Sequence, residues 1–507
     1  MPAPAPARMH RAVRSAPPHR AGRRGRAALA GLLTLTAAAA AAPSAGADGP
    51  PYVTRPDLRP TRVTVTTPAT NVAPGYVFAT PKGGGIDSGA EIFDNAGQLV
   101  WFRPAKKRGT SILDLKPQTY EGKPVATFWE GLAVRGYGFG AFHIVDQNMN
   151  EIGRVSPNGK GQMDFHEFTL TPQGTALGIS YKPVRGSTTA VKGGARNDLI
   201  MRNLIQEIDP KTNEVLWEWD ITKGVSPAES YLPIPARPEV AYDYIHANSV
   251  NLDADGNLLV SSRHTHTIYK VDKKTKKIIW RLGGKKSNFK MGPGARFAWQ
   301  HDAHRQPDGT ISLFDNASSI ENDKGKRSKG LVLNVDEAAN TATVAKQFVN
   351  PVPKVDNTQG NLQALPNGNW FVGWGGTGRN VSEFSADGTQ IFEAKYASKR
   401  TESYRAYRSP WVAQPQVAPK AVARRSSSSV AVRVSWNGAT TVAAWRVVGG
   451  ASATTLVPRI VSARTGFETL IRVPDRAGES KVVAVEALDV AGNVLSRSKA
   501  IAVGAKY

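Results

Sequence analysis

The stretch YIHANSVNLDADGNLLVSSRHTHTIYKVD, residues 244–272, carries two short apolar strands on either side of a tight polar turn that ends at Gly256. An Asp-Gly pair between two such strands is a strong hairpin signal. The strand IYKVD follows, and IIWRLGG comes after the next polar turn. The stretch and its continuation therefore predict an antiparallel meander of four short strands. It also holds three of the nine histidines of the chain, gathered around one hairpin.

The same unit recurs along the chain. Comparable turns end at Gly122, Gly174, Gly309 and Gly368, and a trailing half-unit, AEIFDNAGQLVWFRP, precedes them. The units lack helical periodicity, and four short strands repeating every roughly 40 to 55 residues are typical of propeller blades. The pattern predicts about six blades between residues 60 and 413.

The two ends of the chain differ from this pattern. Residues 1–47 join a basic segment to an apolar run and to small residues suited to cleavage, which favours a signal peptide over an uncleaved anchor. Residues 414–428 are typical of a linker, and residues 429–507 show the alternation of a fibronectin III or immunoglobulin-like β-sandwich. We therefore expect an all-β protein, secreted or held in the cell envelope, with a six-bladed β-propeller over residues 48–413 and a C-terminal sandwich.

Composition narrows the classes of function. The formal net charge is +24, and it is still +17 once the seven arginines of the predicted signal peptide are removed. Such a surface favours anionic partners, and peripheral association with an anionic cell envelope is one interpretation. No nucleic-acid motif accompanies the lysines, so we expect no nucleic-acid partner. The chain has no cysteine, which excludes thiol catalysis and cysteine-ligated zinc.

The spacing of polar residues about the turn glycines predicts a site. Eight residues before a turn glycine stand His166, Asn248 and His301, and seven residues after one stand Tyr181, Arg263 and Asn316. In a hairpin, the start of the first strand and the end of the second lie at the same open end. These residues should therefore meet at one mouth of a central channel. His246 should point the same way as Asn248 if both lie on a strand.

This set has a definite chemical character. It contains imidazoles, an arginine and an amide, without a carboxylate or a thiolate, so it suits a tetrahedral oxyanion better than a metal ion. Histidine can donate a proton or act as a nucleophile. The candidate site residues are His166, His246, Asn248, Arg263 and His301, and no metal is expected.

Several blocks resemble a known family. HAN and SSRH in the opening stretch, QHDA at residues 300–303, DGTISLFDNA and FHEFTLTPQGTAL are similar to the bacterial arylsulfotransferases, in the branch common among exported proteins of high-GC bacteria. The resemblance runs from AEIFDNAGQLVWF to YRSPW. It implies a six-bladed propeller that moves a sulfuryl group from a phenolic sulfate to another phenol, with no nucleotide sulfate donor and no cofactor.

The resemblance also implies roles for the five candidates. His301 of QHDA would be the nucleophile that becomes a transient sulfohistidine in a ping-pong cycle. His246, Asn248 and Arg263 would hold the sulfuryl oxygens, and His166 would complete the pocket. The better-known periplasmic members carry an extra N-terminal domain and a disulfide. Here the extra domain is C-terminal and cysteine is absent, which leaves acceptor preference and dimer formation open.

Other residues near these motifs have blander interpretations. His264 and His266 are interpreted as packing or rim residues. Strand alternation should turn Asp302 and His304 away from His301. Aromatic residues that either pack the blades or hold aryl rings are Trp129, Tyr181, Trp299 and Trp374.

Two other classes of function stay open. A propeller hydrolase of sulfate or phosphate esters would differ only in letting water attack. A non-enzymatic propeller would bind anionic envelope polymer through its basic surface, and it would show no turnover.

Overall fold

The computed structural model describes residues 52–83, 88–107, 109–134, 136–318, 326–351, 355–376 and 381–504. The predicted signal peptide lies outside the described residues. The described part of the chain is all-β, with short 3₁₀ turns and no α-helix. Within it, no helix has the length and apolar character needed to cross a membrane.

Twenty-six strands of the described part lie between residues 63 and 409. The first thirteen are β1 (Val63–Thr67), β2 (Tyr76–Gly83), β3 (Gly89–Phe93), β4 (Leu99–Pro104), β5 (Ser111–Tyr120), β6 (Lys123–Val134), β7 (Tyr137–Asp146), β8 (Glu151–Val155), β9 (Phe168–Leu170), β10 (Ala176–Gly186), β11 (Asp198–Ile208), β12 (Val215–Asp220) and β13 (Ala247–Leu252). The others are β14 (Leu258–Ser262), β15 (Thr267–Val271), β16 (Ile278–Gly283), β17 (Lys290–Met291), β18 (His301–Arg305), β19 (Ile311–Asp315), β20 (Lys329–Asp336), β21 (Thr341–Val349), β22 (Asn361–Ala364), β23 (Trp370–Gly373), β24 (Val381–Phe384), β25 (Gln390–Tyr396) and β26 (Thr401–Ser409). The 3₁₀ turns are η1 (Pro157–Gly159), η2 (Ile221–Lys223) and η3 (Pro227–Glu229).

These strands form six successive antiparallel sheets. Four sheets are meanders of consecutive strands, namely β5–β8, β9–β12, β13–β16 and β22–β25. A fifth is the meander β18–β21, whose outer edge pairs in parallel with β17. The remaining sheet has the order β26-β2-β3-β4, so its first strand comes more than three hundred residues after β2, the strand with which it pairs. Strand β1 adds to the outer edge of β25.

The first strands of the six sheets lie next to one another in cyclic order. β5 contacts β9, β9 contacts β13, β13 contacts β18, β18 contacts β22, β22 contacts β26, and β26 contacts β5. The starts of all six sheets therefore surround a common axis.

Glycine is required at the turns on which the sequence pattern rests. Gly174, Gly256 and Gly309 have φ angles of +81°, +80° and +85°, in the left-handed region that glycine adopts without a steric cost. β13 pairs with β14, β14 with β15, and β15 with β16, all antiparallel. The four-stranded meander predicted from the opening stretch is confirmed.

The inner strands are buried on both faces because each sheet is packed between two others. All five residues of β14, LLVSS, and all five of β15, TIYKV, are buried. One apolar cluster lies between the sheet β9–β12 and the sheet β13–β16, where Ile179 and Ile205 pack against Val250 and Val260. Burying each such aliphatic side chain contributes about 1.5–3 kcal/mol.

Eight further strands form two sheets at the C-terminal end. They are β27 (Lys420–Arg425), β28 (Ser429–Ser435), β29 (Ala444–Gly450), β30 (Val457–Ala463), β31 (Glu468–Pro474), β32 (Val482–Leu488), β33 (Val494–Arg497) and β34 (Ile501–Ala502). One sheet has the order β27-β28-β31, and the other has the order β30-β29-β32-β33 with β34 beside β32. Buried residues of both sheets, including Val432, Trp445 and Val485, share one apolar cluster.

The stretch predicted as a linker, residues 414–428, contains strand β27. This strand pairs with β28 along its whole length, so the prediction of a linker was wrong for residues 420–425. The serine run after Arg425 masked the alternation of KAVARR, which is sufficient for a short edge strand. The loop between β28 and β29 contacts the edge of β4, where Asn437 exchanges hydrogen bonds of 2.9 and 3.0 Å with the backbone of Phe102.

Candidate functional site

Three of the predicted histidines meet at one end of the axis. The ring centroids of His166 and His246 are 4.8 Å apart. Tyr404 of β26 lies between His166 and His301, with centroid distances of 5.6 and 6.5 Å. All three imidazoles are buried. The sequence therefore located this cluster correctly, although nothing in the spacing pattern pointed to Tyr404.

The residues that stand eight positions before a turn glycine and those that stand seven positions after one lie at the same end of their sheets, as predicted. His301 Nδ1 lies 2.7 Å from Asn316 Oδ1, which joins the first set to the second within one sheet. In another sheet the ring of Tyr181 lies 5.7 Å from that of His166. The backbone nitrogen of Arg263 donates to the carbonyl of His246 at 2.9 Å.

The expected strand alternation between His246 and Asn248 was wrong. His246 precedes β13 and has a φ of +54°, and a register shift interrupts the pairing of β13 between Ala247 and Ser249. The Asn248 amide donates to the carbonyl of Gln300 at 2.7 Å. Its Oδ1 is buried and has no hydrogen-bond partner among the described residues.

The site contains carboxylates, contrary to the sequence-based expectation. Asp164 Oδ1 lies 2.5 Å from His166 Nδ1, and Asp243 Oδ2 lies 2.5 Å from His246 Nδ1. Burial opposes ionisation of Asp243, but the neighbouring His246 holds the pKa of this carboxyl at about 2. Counting from the turn glycines missed both aspartates, because Asp164 and Asp243 lie in the irregular segments that precede β9 and β13. The signal was present as DFH and DYIH, where an aspartate precedes the histidine by two or three residues.

Arg263 is held on three sides. Its guanidinium lies 3.8 Å from the ring centroid of Trp299. Nη2 donates to the carbonyl of Asn357 at 2.8 Å, and Nη1 donates to His264 Nε2 at 2.8 Å. Burial lowers the pKa of Arg263 to about 10, so the group remains a cation at neutral pH. The fixed orientation leaves its remaining donors preorganised for an anion.

His264 belongs to the site, and its interpretation as a packing or rim residue was wrong. Residues 263–266 form the turn between β14 and β15 rather than part of a strand, which removes the alternation on which that interpretation rested. The His264 ring lies 4.6 Å from that of His246, and its Nδ1 donates to the carbonyl of Asp243. Burial, followed by His246, lowers the pKa of His264 well below its usual value.

One group of side chains offers metal-ligand atoms, but its donor set does not fit a cation. Ligand atoms of Asp243, His246 and His264 lie within 4.8 Å of one another. However, both nitrogens of His264 are occupied, one as a donor to a carbonyl and one as an acceptor from Arg263. The guanidinium would also face the ion, since it already contacts His264. The arrangement favours an anion.

His301 has a defined tautomer. The Asn316 amide donates to the carbonyls of Asp356 and Gln359 at 2.6 and 3.0 Å, so its oxygen must accept from His301 Nδ1–H. The Nε2 lone pair of His301 is then available. Burial, followed by the charge of Arg263, lowers the pKa of His301 well below its usual value. At neutral pH this ring is uncharged, and the nearby cation Arg263 is fixed.

The remaining candidates separate clearly. Tyr181 and Trp299 lie in the site, whereas Trp129 and Trp374 are fully buried in the sheets. Their indole nitrogens donate to Met163 and Ser382 at 2.8 and 2.9 Å. The His304 ring is half-buried and bonds Asp302 at 2.9 Å, away from the histidine cluster, as expected. The His266 ring stacks on that of Tyr231 at 4.0 Å.

A buried ion cluster fills the axis beneath the site. We call it the central ion cluster, and it consists of Asp114, Lys116, Glu167, Asp302 and Arg405. Arg405 lies 3.2 Å from Glu167, 3.6 Å from Asp114 and 3.5 Å from Asp302. Arg405 also donates to the carbonyl of Asn248 at 2.9 Å, so the cluster supports the floor of the site.

The buried neutral histidines make stability depend on pH. In the unfolded chain a histidine titrates near its usual pKa of about 6.5, whereas burial and Arg263 lower the pKa of His266 to about 3 in the folded protein. Between these values the unfolded state binds the extra proton, so the stabilisation is complete above pH 6.5 and is lost as pH falls towards 3.

We therefore expect His266→Asn, which suits the φ of +52° at this position, to flatten the pH dependence below pH 6.5. The expected change is up to about 1.4 kcal/mol per pH unit. Denaturant unfolding at several pH values measures it. Equal slopes in the variant and the wild-type protein would contradict the argument.

Comparison with known proteins gives the family. The arylsulfotransferase (ASST) model matches residues 116–397, more than half of the 507 residues. No curated protein sequence matches the chain. Similar solved structures include a protein of unknown function from Bacteroides caccae, at 12% identity with 66% of this chain and 98% of that chain covered and a TM-score of 0.40. Virginiamycin B lyase from Staphylococcus aureus is another, at 10% identity, 74% and 96% coverage and a TM-score of 0.33.

Those structural likenesses are too distant to carry an argument. The family match, in contrast, spans every one of the five residues selected from the sequence. The chain belongs to the arylsulfotransferase family.

Proposed function

We propose that this protein moves a sulfuryl group from a phenolic sulfate to another phenol through a sulfohistidine at His301. The observation that carries the proposal is the fixed tautomer of that ring, with Nδ1–H bound to Asn316 and Nε2 available. A neutral nucleophile beside the immobilised guanidinium of Arg263 suits attack on an anionic ester, whose charge would otherwise repel an anionic nucleophile.

In the first half-reaction, His301 Nε2 forms a bond to sulfur, and the bond between sulfur and the phenolic oxygen breaks. The electron pair leaves with the phenolate. Arg263 stabilises charge on the sulfuryl oxygens, and a preorganised donor of this kind is worth about 2.7–4 kcal/mol of barrier. His246 or His166 gives the phenolate a proton. Burial lowers the pKa of His246, and the negative charge of the bound ester would oppose that lowering.

In the second half-reaction, the same ring removes the proton of the acceptor hydroxyl. The acceptor oxygen then attacks sulfur, the nitrogen–sulfur bond breaks, and His301 regains its lone pair. Asp243 orients His246 and Asp164 orients His166, because each carboxylate accepts from Nδ1 and so directs Nε2 away from itself. Asn248 contributes to substrate binding through its amide, and Tyr181 and Trp299 contact the aryl rings.

The architecture proposed for this activity is a six-bladed propeller followed by a fibronectin III-like sandwich, in an exported protein of the cell envelope or outside it. Support for six blades comes from the six successive sheets and the cyclic contacts of their first strands. Support for the sandwich comes from the single apolar cluster that both C-terminal sheets share. The basic composition supports peripheral association with an anionic envelope.

Kinetics with 4-nitrophenyl sulfate and a phenol test the function. We expect the purified protein to form the new aryl sulfate, with parallel double-reciprocal plots at varied acceptor. Donor alone should give a burst of nitrophenol equal to the enzyme concentration. Intersecting plots without a burst would instead indicate direct transfer between two bound substrates. An absence of turnover would leave the non-enzymatic binding protein as the better interpretation.

Hydrolysis is the second candidate, and the two aspartate–histidine pairs favour it. A histidine oriented by a carboxylate can activate water as readily as a phenol. Release of nitrophenol at a rate independent of added phenol, without formation of a new aryl sulfate, would identify a hydrolase.

A further inference from the structure

One cavity lies apart from the histidine cluster. It has a volume of about 600 Å³ and opens between the sheet β9–β12 and the sheet β13–β16. Its wall is formed by the end of β10, the start of β11, the segment of η2 and η3, and Arg281 with Lys286. None of the five candidate site residues lines it. The volume falls within the roughly 300–1,000 Å³ typical of small-molecule sites.

The cavity has an excess of positive charge. Its cationic side chains are Arg185, Arg202, Lys223, Arg281 and Lys286, and its carboxylates are Asp220 and Glu229. Glu229 is already occupied, with Arg281 at 3.1 Å and Lys286 at 3.6 Å. Asp220 Oδ1 caps η2 by accepting from the backbone and the hydroxyl of Thr222. Of the cations on β10, β11 and η2, Arg202 therefore has one long ion pair with Asp220, and neither Arg185 nor Lys223 forms an ion pair with a carboxylate of the cavity.

Arg202 has donors without acceptors. Its Nε is buried and has no hydrogen-bond partner among the described residues. The nearest carboxylate oxygen, Asp220 Oδ2, lies 3.8 Å from Nη1, which is beyond hydrogen-bond distance. The side chain is 30% exposed. A ligand in the cavity would contact the exposed part of this guanidinium, and a guanidinium fork matches an anion with several oxygens.

One part of the cavity wall is apolar, beside the hydroxyl groups of Ser187, Thr222 and Ser226. Val184, Ile200 and Val225 line it beside Tyr244, whose hydroxyl is already bound to the carbonyl of Val225 at 3.2 Å. We infer that this cavity binds a small organic oxyanion, with its sulfate, sulfonate or phosphate group on Arg202 and Lys223 and its apolar body on this floor. The inference does not depend on the proposed transfer chemistry.

Titration calorimetry with naphthalene-2-sulfonate tests the site, because a sulfonate has no ester oxygen to transfer. Arg202→Gln should weaken one binding event by about tenfold or more, as expected for loss of charge-assisted hydrogen bonds. Lys223→Gln should weaken the same event less. Arg472→Gln, an equal charge change on an exposed residue of β31, is the matched control and should have no effect. Turnover of aryl sulfate and the melting temperature of Arg202→Gln should match those of the wild-type protein.

Arg263→Gln separates this site from the proposed active site, since it should leave the Arg202-dependent event in place. Binding that is unchanged in Arg202→Gln, or that is lost only in Arg263→Gln, would overturn the inference. Inorganic sulfate is the second probe. If it competes as strongly as the naphthalene compound, the apolar floor contributes nothing, and a site for organic anions is ruled out.

Discussion

His301→Ala should reduce aryl-sulfate transfer by about 10⁴-fold or more, as expected when the nucleophile of a covalent mechanism is removed. The variant should still fold. Truncation leaves Asn316 Oδ1 without its donor, at a cost of about 1–3 kcal/mol, which is small for a protein with so many buried apolar residues. Turnover of 4-nitrophenyl sulfate and thermal melting, measured on the same preparation, check both parts of the prediction.

His143→Ala is the matched control. His143 is also buried, but it stacks on Phe128 and bonds Glu151 within the sheet β5–β8. Its loss should therefore reduce the free energy of unfolding without removing sulfuryl transfer. Alkaline quenching of the wild-type protein with donor should trap one sulfuryl group on the peptide that contains His301. Transfer by His301→Ala within tenfold of the wild-type rate would remove His301 from the nucleophilic role.

Arg405→Met should lower the free energy of unfolding by about 3–5 kcal/mol, because removal of one partner leaves buried charges uncompensated. Asp114, Glu167 and Asp302 would then share the axis with Lys116 alone as a close, buried cation. Transfer should also fall, since Arg405 binds the backbone of Asn248. Denaturant unfolding and turnover measure the two effects.

Arg400→Met provides the comparison, because Arg400 is exposed and directly precedes the same strand. It should change the free energy of unfolding little. Burial already raises the pKa of Asp114 to about 6, and without Arg405 this carboxyl should take up a proton still more readily. The deficit of Arg405→Met relative to the wild-type protein should therefore narrow between pH 7 and pH 5. A loss below 1 kcal/mol would show that the central ion cluster is not stabilising.

Local pattern was sufficient to predict the repeated meanders and to place His166 and His301 at the same end, whereas His246 reaches that end through irregular backbone rather than through the expected strand alternation. In a hairpin, the start of the first strand lies beside the end of the second. Counting from Gly174, Gly256 and Gly309 therefore identifies residues that lie at the open end of each hairpin. It could not predict Asp164 and Asp243, because irregular backbone brings them to the rings. His264 was missed for the same reason, since a turn stands where a strand was expected.

Counting from a turn glycine cannot predict contacts between site residues and residues that are distant in sequence. Asn357 fixes Arg263 from more than ninety residues away, and Tyr404 and Arg405 reach the axis on a strand that pairs with the start of the chain. Conversely, Trp129 and Trp374 carry the same aromatic signal as Trp299, and only packing distinguishes core from site.

The pairing of β26 with β2 has a consequence for how the molecule assembles. In five sheets the four meander strands are consecutive in sequence, so these sheets can form from local contacts. The sheet β26-β2-β3-β4 instead requires the pairing of two segments separated by more than three hundred residues. Such a closure carries the largest entropy cost and comes late in folding. Arg405 lies on β26, so Asp114, Glu167 and Asp302 gain this cation only when β26 pairs with β2. A chain cut before residue 401 would therefore retain the strands of five sheets but would lack both β26 and the arginine of the central ion cluster.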